Sequence, residues 1–323
     1  LMKDAQGAPA PVVRMFGWTM LASMTAFLVN AILTFWFDFP GALTVLSGGG
    51  AGAFVQIGVY AAAVALAITL VIRSPHASLR AEAARVTAAN TFLIRAAFWV
   101  VLLIGAGDAL VSFMRVNGML ENAVGAELAG NLGRAEFRGL YFHLPLVVIG
   151  IVIGAVTRSL GFIWLTLMVV IAELLIVFSR FVFSYEQAFM ADLVRFWYGA
   201  LFLFASAYTL YEDGHVRVDL LYASMRREAQ GRVNAWGAVL LGMLLSWTIL
   251  IVGFASSSSS IVGPILVFEV TQSGFGMYVK YFMAGFLAVF AVTMMVQFVA
   301  QFFEAIADKR GEPGARTTHA DMI

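Results

Sequence analysis

Eight apolar runs separated by short charged connections leave this chain only one solvent in which to bury its surface. They lie at residues 13–37, 53–72, 90–114, 139–156, 160–183, 193–211, 235–255 and 277–305. A hydrocarbon core of ~30 Å takes about 20 helical residues to cross, and each run has about that length or more. With 61% hydrophobic and 12% charged residues among 323, the composition is too apolar for a soluble globule. An all-α integral membrane protein of about eight transmembrane helices is therefore expected. The tightest boundary, residues 157–160, is read as a hairpin, with one long bent helix as the alternative. No small-residue cleavage site follows the first apolar run, so residue 12 onward is read as a retained helix rather than a leader.

Charge sets an expected orientation. With the N-terminus inside, Lys3, Arg14, Arg73, Arg80, Arg85, Arg158, Arg217, Arg226, Arg227, Arg232, Lys309, Arg310 and Arg316 share the inner side. Arg115, Arg134, Arg138, Arg180, Arg195 and Lys280 share the outer one, and Arg95 sits within the third run. That excess predicts cytoplasmic termini. The 119–138 connection then faces outward, either as one amphipathic surface helix or as a bare loop. A net charge of +1 with scattered basic residues gives no case for nucleic acid. Zero cysteines exclude disulfides, iron–sulfur clusters and thiolate zinc sites.

The pattern breaks most sharply after Tyr211. Glu212, Asp213, Arg217, Asp219, Arg226, Arg227 and Glu228 follow in quick succession, and charges cost on the order of 2.5 to 3.5 kcal/mol each at a helix centre in lipid. The chain must turn, and Gly214 with His215 is where it does. His215 at a helix end can meet the last carbonyls and the negative end of the dipole. Beyond the turn, Val218, Leu221, Tyr222 and Met225 recur at helical spacing. They describe a short cytoplasmic interfacial helix in the headgroup layer, or else a solvated connecting helix. Arg217, Arg226 and Arg227 would meet anionic lipid there, each contributing ~1 kcal/mol.

Several of these residues carry a resemblance. The stretch Gly214 to Asp219 reads GHVRVD, Arg180 and Phe181 close the preceding apolar run, and Glu269, Ser273, Gly274, Gly276 and Lys280 precede the last one. In this order and spacing the chain resembles the small permease, or Q subunit, of tripartite ATP-independent periplasmic (TRAP) transporters. The resemblance covers about residues 160–308. It implies three regions: an N-terminal accessory transmembrane region at 1–158, a Q-subunit-like four-helix core at 159–308, and a disordered cytoplasmic tail at 309–323. Phe189 to Asp192 departs from the family pattern, which often has a tryptophan and paired glutamates there.

Ionisable groups inside spans are functional suspects because they are expensive in lipid. Asp108, His143, Glu173 and Arg180 all fall in the outward half of their runs, so Asp108, His143 and Glu173, with Arg180 near the span end, are candidates for an intramembrane polar network. The alternative is that each finds its own water, backbone or partner-chain contact. Glu173 and Arg180, seven residues apart, are expected to share a helix face without touching. The four histidines, 76, 143, 215 and 319, place only His143 convincingly in a span, which argues against a bis-histidine haem.

Asp108 and Glu173 are the only deeply placed carboxylates, too few oxygen donors for a sodium site. The residues alone therefore favour a structural partner to another membrane protein. The resemblance implies which one: a separate large TRAP membrane subunit that holds the sodium and moves the substrate, working with a periplasmic substrate-binding protein. This chain would then be a non-enzymatic scaffold in a bacterial inner membrane, without a cofactor of its own, contacting lipid and contributing to uptake of organic acids. The rival readings are an autonomous secondary carrier or channel, and a respiratory-complex membrane anchor.

Overall fold

Lipid offers the backbone no hydrogen-bond partner, and the chain meets that constraint with helices. The computed structural model describes residues 9–158, 161–185, 188–212, 221–271 and 276–315. Among the described residues, eight helices are long and apolar enough to span: α1 (Pro11–Trp36), α2 (Gly50–Arg73), α3 (Leu79–Val116), α4 (Ala135–Val156), α5 (Phe162–Phe183), α6 (Ala188–Tyr211), α7 (Arg227–Gly253) and α8 (Lys280–Lys309). No strand occurs among the described residues. The protein is an all-α, multi-pass membrane protein.

Local sequence explains the ends. Pro11 opens α1 at a position whose N–H would be unpaired anyway. α3 stops at Gly118 (φ 67°), where the Met119 N–H closes back on the Met114 carbonyl. α5 starts after Gly161 (φ 80°) and ends at Ser184 (φ 51°) in the same kind of closure, Tyr185 N–H to Ser179 carbonyl. α3 starts eleven residues before the apolar run at 90, because charge ended the run but not the helix. Its 38 residues span roughly 57 Å, well beyond the hydrocarbon.

The 119–138 connection is neither one surface helix nor a bare loop. Gly125 (φ 84°) breaks it into short helices, Leu120–Val124 and Ala126–Leu132, before α4 begins. Leu120, Ala129 and Leu132 bury against Val111, which pins the segment to the end of α3. Residues 221–225 are a run of turns rather than the expected interfacial helix, and the next helix, from Arg227, continues directly into the α7 span. Met225 N–H closes on the Tyr222 carbonyl at 3.0 Å, a tight turn that replaces helical hydrogen bonding. The earlier part of that expected helix lies outside the described residues.

Contacts sort the chain into two compact units. The first comprises Leu1–Asn90, Thr209–Ile251 and Ala291–Ile323. In it α1 and α2 form a hairpin: Asn30 donates to the Gln56 carbonyl at 3.0 Å, and Gln56 donates to Thr34 at 2.8 Å. Arg14 is buried against Glu82 at 2.6 Å while also donating to the Ser74 carbonyl, and Trp18 donates to the same carboxylate at 3.1 Å. Gly17 makes room for Phe303 of α8, and Arg80 pairs with Glu304 and Asp308 at 2.5 and 2.9 Å.

The second unit comprises Thr91–Tyr208 and Val252–Phe290. Its axis is α3. Gly150 and Gly154, four residues apart, let α4 lie backbone to backbone on α3; a β-carbon at either would come within 2.7 Å of the Val100 or Ala96 Cα. Small residues at this spacing are how helices approach closely in lipid, where apolar burial gives no drive to associate. Arg95, inside the third span, donates to the Gly154 carbonyl at 2.6 Å. Gly161 lies at Phe98, and Tyr185 reaches Asn117 at 3.3 Å, so α5 runs along α3 in the direction opposite to α4. The helices flanking the 157–160 boundary thus run in opposite directions, which excludes one long bent helix; residues 159 and 160 lie outside the described residues. α6 returns along α3, with Trp197 donating to the Val101 carbonyl at 3.2 Å and Phe204 edge-on to Phe98.

Candidate functional site

A fully buried polar cluster in the second unit collects the chemistry within the spans. Asp108 projects from α3, Arg138 and His143 from α4, and Tyr281 from α8; Asp108, Arg138 and His143 are each 0% exposed. Asp108 Oδ1 accepts from Arg138 Nη1 at 2.9 Å and from His143 Nε2 at 3.0 Å. Its Oδ2 accepts the Tyr278 backbone N–H at 2.8 Å. His143 Nδ1 lies 2.6 Å from the Tyr281 hydroxyl. A neutral imidazole with its proton on Nε2 satisfies both contacts, since the hydroxyl can donate to Nδ1. The net charge of the cluster is then zero, Asp108 balanced by Arg138.

Arg138 is held on further sides. Its Nε donates to the Leu132 carbonyl at 2.8 Å, and its guanidinium lies 4.1 Å over the Tyr278 ring. That ring also carries Arg115, which donates to the Tyr278 hydroxyl at 2.5 Å and to the Gly276 carbonyl at 3.1 Å. The Tyr278 hydroxyl donates onward to the Gly133 carbonyl at 2.8 Å. The short-helix connection, α3, α4 and the start of α8 are therefore fastened to one carboxylate.

The backbone explains why two α4 side chains reach that carboxylate. Five residues separate Arg138 from His143, which in a regular α-helix places them about 140° apart. Residues Gly139–His143 instead form one π-turn, whose wider i→i+5 pitch brings both onto one face. Its cause is readable in the sequence: Pro145 lacks an N–H and its ring would clash with the Tyr141 carbonyl in a regular helix. Gly139 then lacks the β-carbon that would collide with the Phe268 ring.

Of the residues singled out from sequence, Asp108 and His143 are in contact, whereas Glu173 and Arg180 lie on the exposed side of α5. Among the described residues, neither Glu173 nor Arg180 receives a hydrogen bond or an ion pair. Glu269 and Lys280 form a half-exposed ion pair at 2.5 Å. Asp192, in the segment that departs from the family pattern, is buried, accepting from the Met277 N–H at 3.1 Å and from Thr271 at 3.2 Å. Glu212 is exposed in the turn after α6. Gly214, His215, Arg217 and Asp219 lie outside the described residues, as do Asp213, Ser273 and Gly274.

Sequence reading missed Arg138, Tyr278 and Tyr281. Arg138 counted as a loop charge because it stands one residue before an apolar run. The available signal was Asp108 itself: a carboxylate within a span needs a cation nearby. Arg14 and Glu82 were missed for a related reason: Arg14 stands at the edge of the first run and counted as an inner-side charge, and Glu82 lies in the charged connection between the second and third runs.

No curated protein and no solved structure matches the chain. A family model does match, the tripartite ATP-independent periplasmic transporters, DctQ component, over residues 165–308. Residues 165–308, somewhat under half of the chain, are thus similar to the DctQ component of the tripartite ATP-independent periplasmic transporters, and they lie within a multi-pass membrane protein.

Proposed function

We propose that this chain is the scaffold subunit of a sodium-coupled TRAP transporter for organic acids, bracing a separate large transport subunit and helping to dock the periplasmic binding protein. The observation that carries the reading is the saturation of the buried carboxylates. Asp108 accepts from Arg138, His143 and a backbone N–H; Glu82 accepts from Arg14 and Trp18; Asp192 accepts from Thr271 and a backbone N–H. An oxygen already committed to internal donors holds helices together and is a poor ligand for a travelling cation. Saturated carboxylates support a static role, and the similarity to the DctQ component supports a partner that performs the transport. The four helices before residue 159 widen that scaffold: Gly17 against Phe303 and Arg80 on Glu304 and Asp308 fix the N-terminal part to α8.

The sodium site belongs to the large subunit in this reading, and the chain lies in a bacterial inner membrane with both termini in the cytoplasm. Affinity purification from native membranes is the test. Copurification with a larger polytopic subunit is expected, and a chain that purifies alone after mild extraction contradicts the proposal.

A further inference from the structure

α5 is the least enclosed of the eight spans, with 11% of its apolar window buried against 17–39% in the others. Its inner side is defined by Leu165 and Ala172, both nearly inaccessible. On its exposed side stand Thr166, Glu173 and Arg180, seven residues apart in turn. Seven residues fall within about 20° of two full turns, so the three form one polar line about 20 Å long. Glu173 is at its middle, eleven residues from the first residue of α5, at the depth where a lone carboxylate is costliest. Neither Glu173 nor Arg180 has a partner among the described residues.

We propose that the Thr166, Glu173 and Arg180 line is the seam on which a transmembrane helix of a different chain docks, presenting a basic or amide donor opposite Glu173 and an acceptor opposite Arg180. The inference deepens the scaffold reading and rests on it. Two features select this occupant. A seven-residue repeat on an exposed helix face is the spacing that keeps one seam against a neighbouring helix. A second copy of this chain is disfavoured by symmetry: identical chains inserted the same way and related by a two-fold axis along the membrane normal would set Glu173 against Glu173 and Arg180 against Arg180. Lipid tails offer no donor, and the depth of Glu173 keeps headgroups out of reach.

The test uses the full chain in the membranes of its source cells. Benzoylphenylalanine at Val170 or Val177, exposed beside the line, should photo-crosslink to a polytopic membrane protein of different sequence. The adduct peptide should map to a spanning helix with a Lys, Arg, His, Asn or Gln at mid-depth, and the same probe at Phe54 of α2 should give no such adduct. Glu173→Lys should reduce copurification of that protein at least tenfold and Glu173→Gln only a few-fold. Glu173→Leu, which favours insertion, should also reduce it and so separates lost docking from failed insertion. Adducts to lipid alone or to a second copy overturn the proposal, as does unchanged copurification of the Lys and Leu variants. If a large subunit is then captured through another face, the scaffold reading stands without this seam; if none is captured, both fall.

Discussion

Asp108 shows at single-residue scale how this protein tolerates charge inside a bilayer. Its carboxylate and the Arg138 guanidinium are fully enclosed, and a buried pair is costly to break from one side because the remaining charge keeps its desolvation penalty. Asp108→Leu should therefore destabilise the solubilised protein by about 3–5 kcal/mol in a thermal or denaturant assay. Asp108→Leu combined with Arg138→Met should recover most of that loss, since the pair is removed together. His143→Phe loses one hydrogen bond to the ionised Asp108 carboxylate and one neutral contact with Tyr281, and a drop of about 2–4 kcal/mol is expected in the same assay. Asp108 and His143 were legible in the sequence because ionisable residues stand out in apolar runs. Their partners were not: Arg138 and Tyr281 sit 30 and 173 positions from Asp108, and only the fold brings them to it.

At the scale of helices, the sequence located all eight spans, since hydrophobic length is a local property. It missed what depends on pairing. The π-turn at Gly139–His143 follows from Pro145, yet its consequence, two side chains on one face, depends on the path the folded backbone takes. Deleting Leu140 would leave Arg138 and His143 one α-turn apart while returning the Pro145 clash. The deletion alone should cost about 3 kcal/mol, and adding Pro145→Ala should restore stability with the Asp108 cluster intact, a double-mutant comparison readable by thermal unfolding. The contact of α4 with α3 makes a second expectation. A valine at Gly150 meets the Val100 backbone, which cannot move aside as a side chain can, so Gly150→Val should cost about 1–3 kcal/mol or splay the helices.

Across the whole molecule, the distribution of Lys and Arg predicts cytoplasmic termini, and the absence of cysteine makes this easy to check. With single cysteines at Ser257 and Gly311, an impermeant maleimide should label the first from the periplasmic side and the second only after lysis. The reverse pattern would invert the topology. The central claim is that the chain braces a transporter without transporting. The most direct measurement places the purified chain alone in sodium-loaded gradients across proteoliposomes and follows uptake of 2-oxo acids and C4-dicarboxylates. No uptake above empty vesicles is expected until the large subunit and binding protein are added; sodium-dependent accumulation by the chain alone would contradict the account.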